Sequence, residues 1–170
     1  MTNNHQTQEH NTGPAVLIER VFDAPVERLW QAWSQPQLFM RWWGVRAFTV
    51  PVAEIDFRVG GKYLYCMRAH DGQDTWGTGV YREIVDRQRI VFTDSFADAQ
   101  GNPVPASFYG MGDALPDEML VIVTLADLGH GQTRQTLQHL GVPAGEMAQM
   151  TTASWNESFD RLAELLQSGA

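Results

Sequence analysis

Few residues of this chain combine the type and the placing that chemistry needs. Asp94, His139, Arg68 and Glu83 are the catalytic candidates inside strand-like runs, and no nucleophile–base spacing accompanies them. His139 ends such a run, where it can meet Asp94 or Glu83 in a fold, but a lone strand histidine is ordinarily structural. Cys66, between Tyr65 and Met67, reads as a small buried hydrophobe. Asp56 and Arg58 lie two apart and read as a surface ion pair. Gly60-Gly61-Lys62 looks like the end of a phosphate loop, but Tyr63 stands where Ser or Thr is required. Gly77-Thr78-Gly79 has Arg82 in place of a third glycine and lies inside a strand, where glycines mark a bulge or a close approach. His70-Asp71-Gly72-Gln73-Asp74 lacks a calcium-loop ligand series and reads as a hairpin tip. GxSxG and HExxH are absent. The expectation is no catalytic residue, no metal ligand set and no cofactor.

Composition narrows the remaining classes. The chain has 170 residues, a net charge of −8, one cysteine and six tryptophans, with 44% hydrophobic residues. This length suits one domain of roughly 100–200 residues. The acidic balance repels a phosphate backbone, so nucleic acid is excluded as a partner. One cysteine allows no internal disulfide. No run approaches the ~18 apolar residues of a membrane span. A cytoplasmic location, as monomer or homodimer, is the expectation. Residues 1–14 carry too little apolar surface to order themselves and are expected to form a disordered tail, with His5 and His10 solvated. The domain is expected over 15–167.

The elements that must place these residues follow from periodicity. Val16–Phe22 is rich in β-branched residues and reads as a strand. Asp23 is a candidate cap for a short helix with Val26, Leu29, Trp30 and Trp33 at helical spacing. Pro36 breaks it, and Leu38–Trp43 makes a second short helix ending at Gly44. Strand signals then cover Phe48–Phe57, Lys62–Ala69, Trp76–Val85, Arg89–Phe96, Met119–Leu125 and Thr133–His139. Ala97–Glu118 is a long connection whose aromatics favour docking back on the body. From Pro143 to Leu166 the apolar residues Met147, Met150, Trp155, Phe159, Leu162, Leu165 and Leu166 fall at helical spacing. Thr151, Ser154 and Ser158 lie near the centre of that arc, where small hydroxyl residues leave volume unfilled. Grouped strands and segregated helices give an α+β layer.

Several of these runs together resemble a known family. They are Arg20-Val21-Phe22-Asp23-Ala24-Pro25, Val26–Trp33, Arg41-Trp42-Trp43-Gly44, Asp56–Gly61, Gly79–Ile84, Arg89–Thr93, and Trp155 with Phe159–Leu162. In this order they are similar to the domain of the heat-shock-protein-90 ATPase activator, in the START-like, birch-pollen-allergen-like superfamily. The resemblance covers Ala15 to Leu166. It implies a helix-grip fold: a curved antiparallel sheet of about six to seven strands around a long C-terminal helix, with two short helices closing one end. It also implies a cavity between sheet and helix.

Three functions remain. The first is binding of a small hydrophobic or aromatic molecule in that cavity, with walls from Trp42, Trp43, Phe48, Trp76, Tyr81, Phe92, Phe108, Tyr109, Met119, His139, Met147, Thr151, Ser154 and Trp155. The second is a cyclase, dehydratase or hydrolase using the same cavity. The third is a chaperone-linked interaction module, which requires a filled core and an exposed apolar patch.

Overall fold

The computed structural model describes residues 14–169, so the expected tail lies outside the described residues but for Pro14. Val16 to Phe22 alternates buried and exposed side chains, the period of a strand with one face in a core, and forms β1 (Val16–Phe22). Two short helices follow, α1 (Val26–Ser34) and α2 (Pro36–Trp42). They are separate because a residue before proline is driven out of the helical region, and Gln35 is extended. Asp23 does not cap α1. Its carboxylate instead accepts a hydrogen bond from the Gln132 side chain at 2.8 Å, and Pro25 occupies the cap position.

Seven more strands come next: β2 (Phe48–Ile55), β3 (Lys62–Ala69), β4 (Asp74–Val85), β5 (Arg89–Ala97), β6 (Pro103–Val104), β7 (Met119–Gly129) and β8 (Gln132–Leu140). All ladders are antiparallel, in the order β1-β8-β7-β5-β4-β3-β2. The last helix is α3 (Glu146–Gln167), with Gly145 at its N-cap position, so it starts after the turn at Pro143 and not in it. The architecture is the α+β helix grip expected from the sequence.

The two-residue β6 had no strand signal, since prolines flank Val104. It exists because β7 pairs with β5 only as far as Asp94, leaving Phe96 and Ala97 free to pair with Val104 and Pro103. The long connection docks as expected. The Tyr109 hydroxyl donates to the Ala97 carbonyl and accepts from the Trp76 backbone N–H, while its ring meets Phe96. At the β3–β4 hairpin Gly72 adopts φ +87°, and the Gln73 N–H caps the Asp71 carboxylate at 3.0 Å.

Arg161 joins α3 to the small helices. Its guanidinium donates to the carbonyls of Trp43 (3.0 Å), Gly44 (2.9 Å) and Arg41 (3.2 Å), the unsatisfied end of α2. Charged hydrogen bonds to such carbonyls contribute about 1.5–3 kcal/mol. We expect Arg161→Met to lower the urea midpoint by an amount equal to about 2 kcal/mol, and an unchanged midpoint would refute the role.

Three carboxylates at the surface, half-buried Asp74 and Asp98 and exposed Glu164, shape the acid response. The Asn102 backbone N–H, with neighbouring amides, holds Asp98 below its usual range. Hydrogen bonds from Arg68 and Arg46 do the same for Asp74 and Glu164. Each folded-state value is depressed, so each contribution is present above the ordinary carboxylate range and is lost as pH falls through the folded value. Melting temperature should therefore drop below about pH 4, and Asp98→Asn should flatten that drop. A melting profile with the same acid slope in the variant would contradict this.

Candidate functional site

The concave face of the sheet is built from alternate residues: Tyr63 and Tyr65 on β3, Tyr81 on β4, Ile90, Phe92 and Asp94 on β5, Val121 and Val123 on β7, and Gln135, Leu137 and His139 on β8. The α3 face that meets it is centred on Trp155, with Ala148, Phe159, Leu162 and Leu166 buried alongside.

Two sets of spacings place the tyrosines. Tyr63 and Tyr65 stand directly opposite Gly79 and Gly77. Their rings lie flat over these glycines, parallel within 5° of each other. A methyl group on Gly77 would press into the Tyr65 ring, and one on Gly79 would come within 2.5 Å of the Tyr63 ring. The glycines thus serve close approach, as their place in a strand implied. The bulge lies further on, between Tyr81 and Glu83. The Tyr63 hydroxyl donates to the Thr93 carbonyl at 2.7 Å. Burial first, and the Asp94 carboxylate second, push Tyr63 and Tyr65 well above the normal phenol range, so both keep their protons.

The helices complete the interior with indoles. Trp33, on α1, contacts Trp42, Trp43, Phe92, Trp155 and Phe159, and its N–H donates to the Gln135 side-chain oxygen at 2.8 Å. Trp43 stacks on Phe39 and meets Tyr65 and Trp155 edge-on. What space remains among Trp33, Phe39, Trp43, Tyr63, Tyr81, Ile90 and Phe92 measures about 10 Å³, room for the centre of one water. This part of the interior is filled. A larger depression of about 530 Å³ lies elsewhere, open to solvent beside Ala15, Ala144, Ala148 and Thr152, and its lining has no titratable group.

One polar constellation interrupts the aromatics. The Trp155 indole N–H donates to Nδ1 of His139 at 3.1 Å. An indole N–H can only donate, so Nδ1 accepts and the neutral ring carries its proton on Nε2. That nitrogen lies 3.1 Å from the Asp94 carboxylate. The N–H is not aligned on the carboxylate oxygen, however, and makes no hydrogen bond. His139 Nε2 and Gln135 Nε2 are the buried side-chain polar atoms, among the described residues, with no partner. The 3.1 Å contact is therefore electrostatic attraction rather than a satisfied bond.

Comparisons with known proteins agree with this architecture. The family model described as activator of Hsp90 ATPase homolog 1-like protein matches residues 23–167. The chain belongs to this family. A crystal structure of a Chromobacterium violaceum protein is 31% identical, with TM-score 0.72, over 89% of this chain and 95% of that one. An Arthrobacter aurescens protein is 28% identical, with TM-score 0.72, over 89% of this chain and 85% of that one. The AHSA1 protein of Silicibacter pomeroyi is 22% identical, with TM-score 0.71, over 91% of this chain and 99% of that one, a likeness of fold. No curated protein matches.

Within this family domain the expected wall residues divide. Trp43, Tyr81, Phe92, Met119, His139 and Trp155 are buried on the inner side, with Met147 and Thr151 half-buried on α3. Trp42 is buried but serves the helix pair, donating to the Ala32 carbonyl at 2.9 Å. Phe48 is half-buried at the end of β2, opposite Ala69. Trp76 stands opposite Cys66 and Ala97, on the convex face, because Tyr65 and Gly77 take the concave positions. Tyr109 holds the 97–118 connection, and Phe108 beside it is 60% exposed. Ser154 is exposed and bonds back to the Met150 carbonyl. The wheel explains this: measured from Trp155, Ser154 lies about 100° away and Met150 about 140°, whereas Thr151 lies about 40° away.

Of the titratable candidates, only His139 and Asp94 meet. Arg68 pairs with Asp74 and Glu83 with Arg89. Asp56 and Arg58 pair on the surface as expected. Cys66 is fully buried, and burial pushes its thiol up to about 11. Trp33, Phe39, Tyr63, Tyr65 and Gln135 were not among the expected wall residues. A Tyr-x-Tyr run pairing across a hairpin with a Gly-x-Gly run was a usable signal for the two tyrosines.

Proposed function

We propose that this domain binds a small apolar or aromatic molecule between the sheet and α3. The observation that carries the reading is the His139–Asp94–Trp155 group, in which His139 and Trp155 are buried and Asp94 is half-buried. A core that only seals a fold gains nothing from an unpartnered imidazole N–H, which costs about 1–3 kcal/mol when left unmade. A few polar groups in an otherwise apolar interior are the usual composition of a ligand site. The free volume of about 10 Å³ makes this the closed form, and entry requires displacement of side chains. Met119, opposite Asp94, and Met147 on α3 are unbranched and can move. The link from β8 to α3 runs between Gly141 and Gly145, both with φ +97°, which suits movement of the helix.

Native mass spectrometry of the protein purified from its own host tests the reading. The expected result is a co-purifying small molecule, reduced or lost in Thr151→Phe. Bare protein alone, with no thermal shift from any aromatic compound, would overturn it. The filled interior favours a second reading, an interaction module working through its surface, and that outcome would support it.

A further inference from the structure

We infer that the interior ligand is anchored by a neutral hydroxyl group, an alcohol or phenol, that bridges His139 Nε2 and the Asp94 carboxylate from beside the 3.1 Å gap that separates them. The inference rests on the binding reading above and names the chemistry of the ligand's polar end.

The anchoring group must match the donors and acceptors that face it. Trp155 occupies Nδ1, so it positions the imidazole and leaves Nε2–H as the donor. That N–H lies close to the Asp94 oxygen, at 3.1 Å between heavy atoms, but is not aligned on it and makes no hydrogen bond. An atom that satisfies it must accept. The same atom would sit beside Asp94 and must also donate. A carboxylate accepts from His139 but meets Asp94 as a like charge. An ammonium donates to Asp94 but leaves Nε2–H unmade. A hydrocarbon serves neither group. A hydroxyl oxygen accepts from Nε2–H while its own proton goes to Asp94, so both needs are met by one atom. The surroundings fit the remainder of such a molecule, since Trp43, Tyr65 and Trp155 offer ring faces and edges next to the pair. The buried tyrosine hydroxyls keep their protons and add no competing charge.

A matched set of naphthalenes tests this by calorimetry: 2-naphthol, 2-methylnaphthalene, 2-naphthoate and 2-(aminomethyl)naphthalene. We expect 2-naphthol to bind about 10-fold or more tightly than its methyl isostere, a difference of about 1.4 kcal/mol. The naphthoate and the amine should be weaker than 2-naphthol. Asp94→Val should bring the naphthol-to-methyl ratio to about 1. His139→Phe should do the same, and the wild-type His139 Nε2 resonance should move with 2-naphthol alone. Equal binding of 2-naphthol and 2-methylnaphthalene, a preference that survives Asp94→Val, or tightest binding of the naphthoate would overturn the hydroxyl anchor and leave the binding reading standing. Failure of all four to bind would overturn both.

Discussion

Gly79→Ala is expected to lose more than about 4 kcal/mol of stability, the class of effect reserved for a specific steric or polar fault. The added methyl group meets the Thr93 carbonyl oxygen, which belongs to the backbone of β5 and already accepts the Tyr63 hydroxyl. It also meets the Tyr63 ring at 2.5 Å. Neither neighbour has a cheap escape. Moving the carbonyl separates β5 from β4, and tilting the ring breaks its hydrogen bond and its contacts with Tyr65, Tyr81 and Phe92. For a domain of this size, 4 kcal/mol corresponds to about 8–16 °C in melting temperature. Gly72→Ala is the control, because nothing lies within 4 Å of its Cβ position and only its φ of +87° is strained. Calorimetric melting of both variants decides. A Gly79→Ala protein melting within a few degrees of wild type would show that the sheet accommodates the methyl group and that the tyrosines do not lie as described.

The second large effect is at Trp33. Truncating a buried tryptophan to alanine costs about 3–5 kcal/mol through lost burial and the cavity left behind. Here the loss is compounded. Trp33 touches aromatic residues from α2, β5 and α3, so its removal uncouples the small helices from both sheet and grip helix. It also strips the Gln135 oxygen of its donor, leaving a buried amide whose nitrogen already lacks a partner. Trp33→Phe keeps most of the ring and should cost less, the lost hydrogen bond accounting for about 1–2 kcal/mol. Adding indole to Trp33→Ala should raise its urea midpoint, since an apolar cavity of matching shape takes up its missing ring. No recovery with indole, together with a loss under 1 kcal/mol, would mean that the interior collapses around the gap and is not rigidly packed.

How much of this was legible beforehand depends on the range of the interactions. Element type and order came through, because alternation in Lys62–Ala69 and 3.6-residue spacing in the last helix are local consequences of burying one face. The Asp71-Gly72 turn and the break before Pro36 also came through, since backbone sterics set them within two or three residues. The site was less legible. The wheel of α3 placed Ser154 and Met150 on its inner arc, but the helix settled with Trp155 at the centre, and Met150 is 59% exposed. A strand assignment for Trp76 did not say which face it would take. The register of β3 against β4 decided that, and put it outside.

The aromatic count argued for a large interior and by extension for a cavity. The structure shows Trp43, Tyr81 and Phe92 of the expected walls, joined by Trp33, Phe39 and Tyr63, filling the space they line down to about 10 Å³. Composition specifies how much ring volume is present and says nothing of how rings from three helices and three strands interlock. By itself, then, the sequence determined the fold, the family and the absence of a membrane-spanning helix among the described residues. These follow from short-range periodicity and ordered motifs. Only the tertiary structure brought His139, Asp94 and Trp155 together from β8, β5 and α3, and only it left one imidazole N–H without a partner. That meeting depends on strand register and helix rotation at once. Both are set by packing across the whole sheet, where no local pattern of residues can encode them.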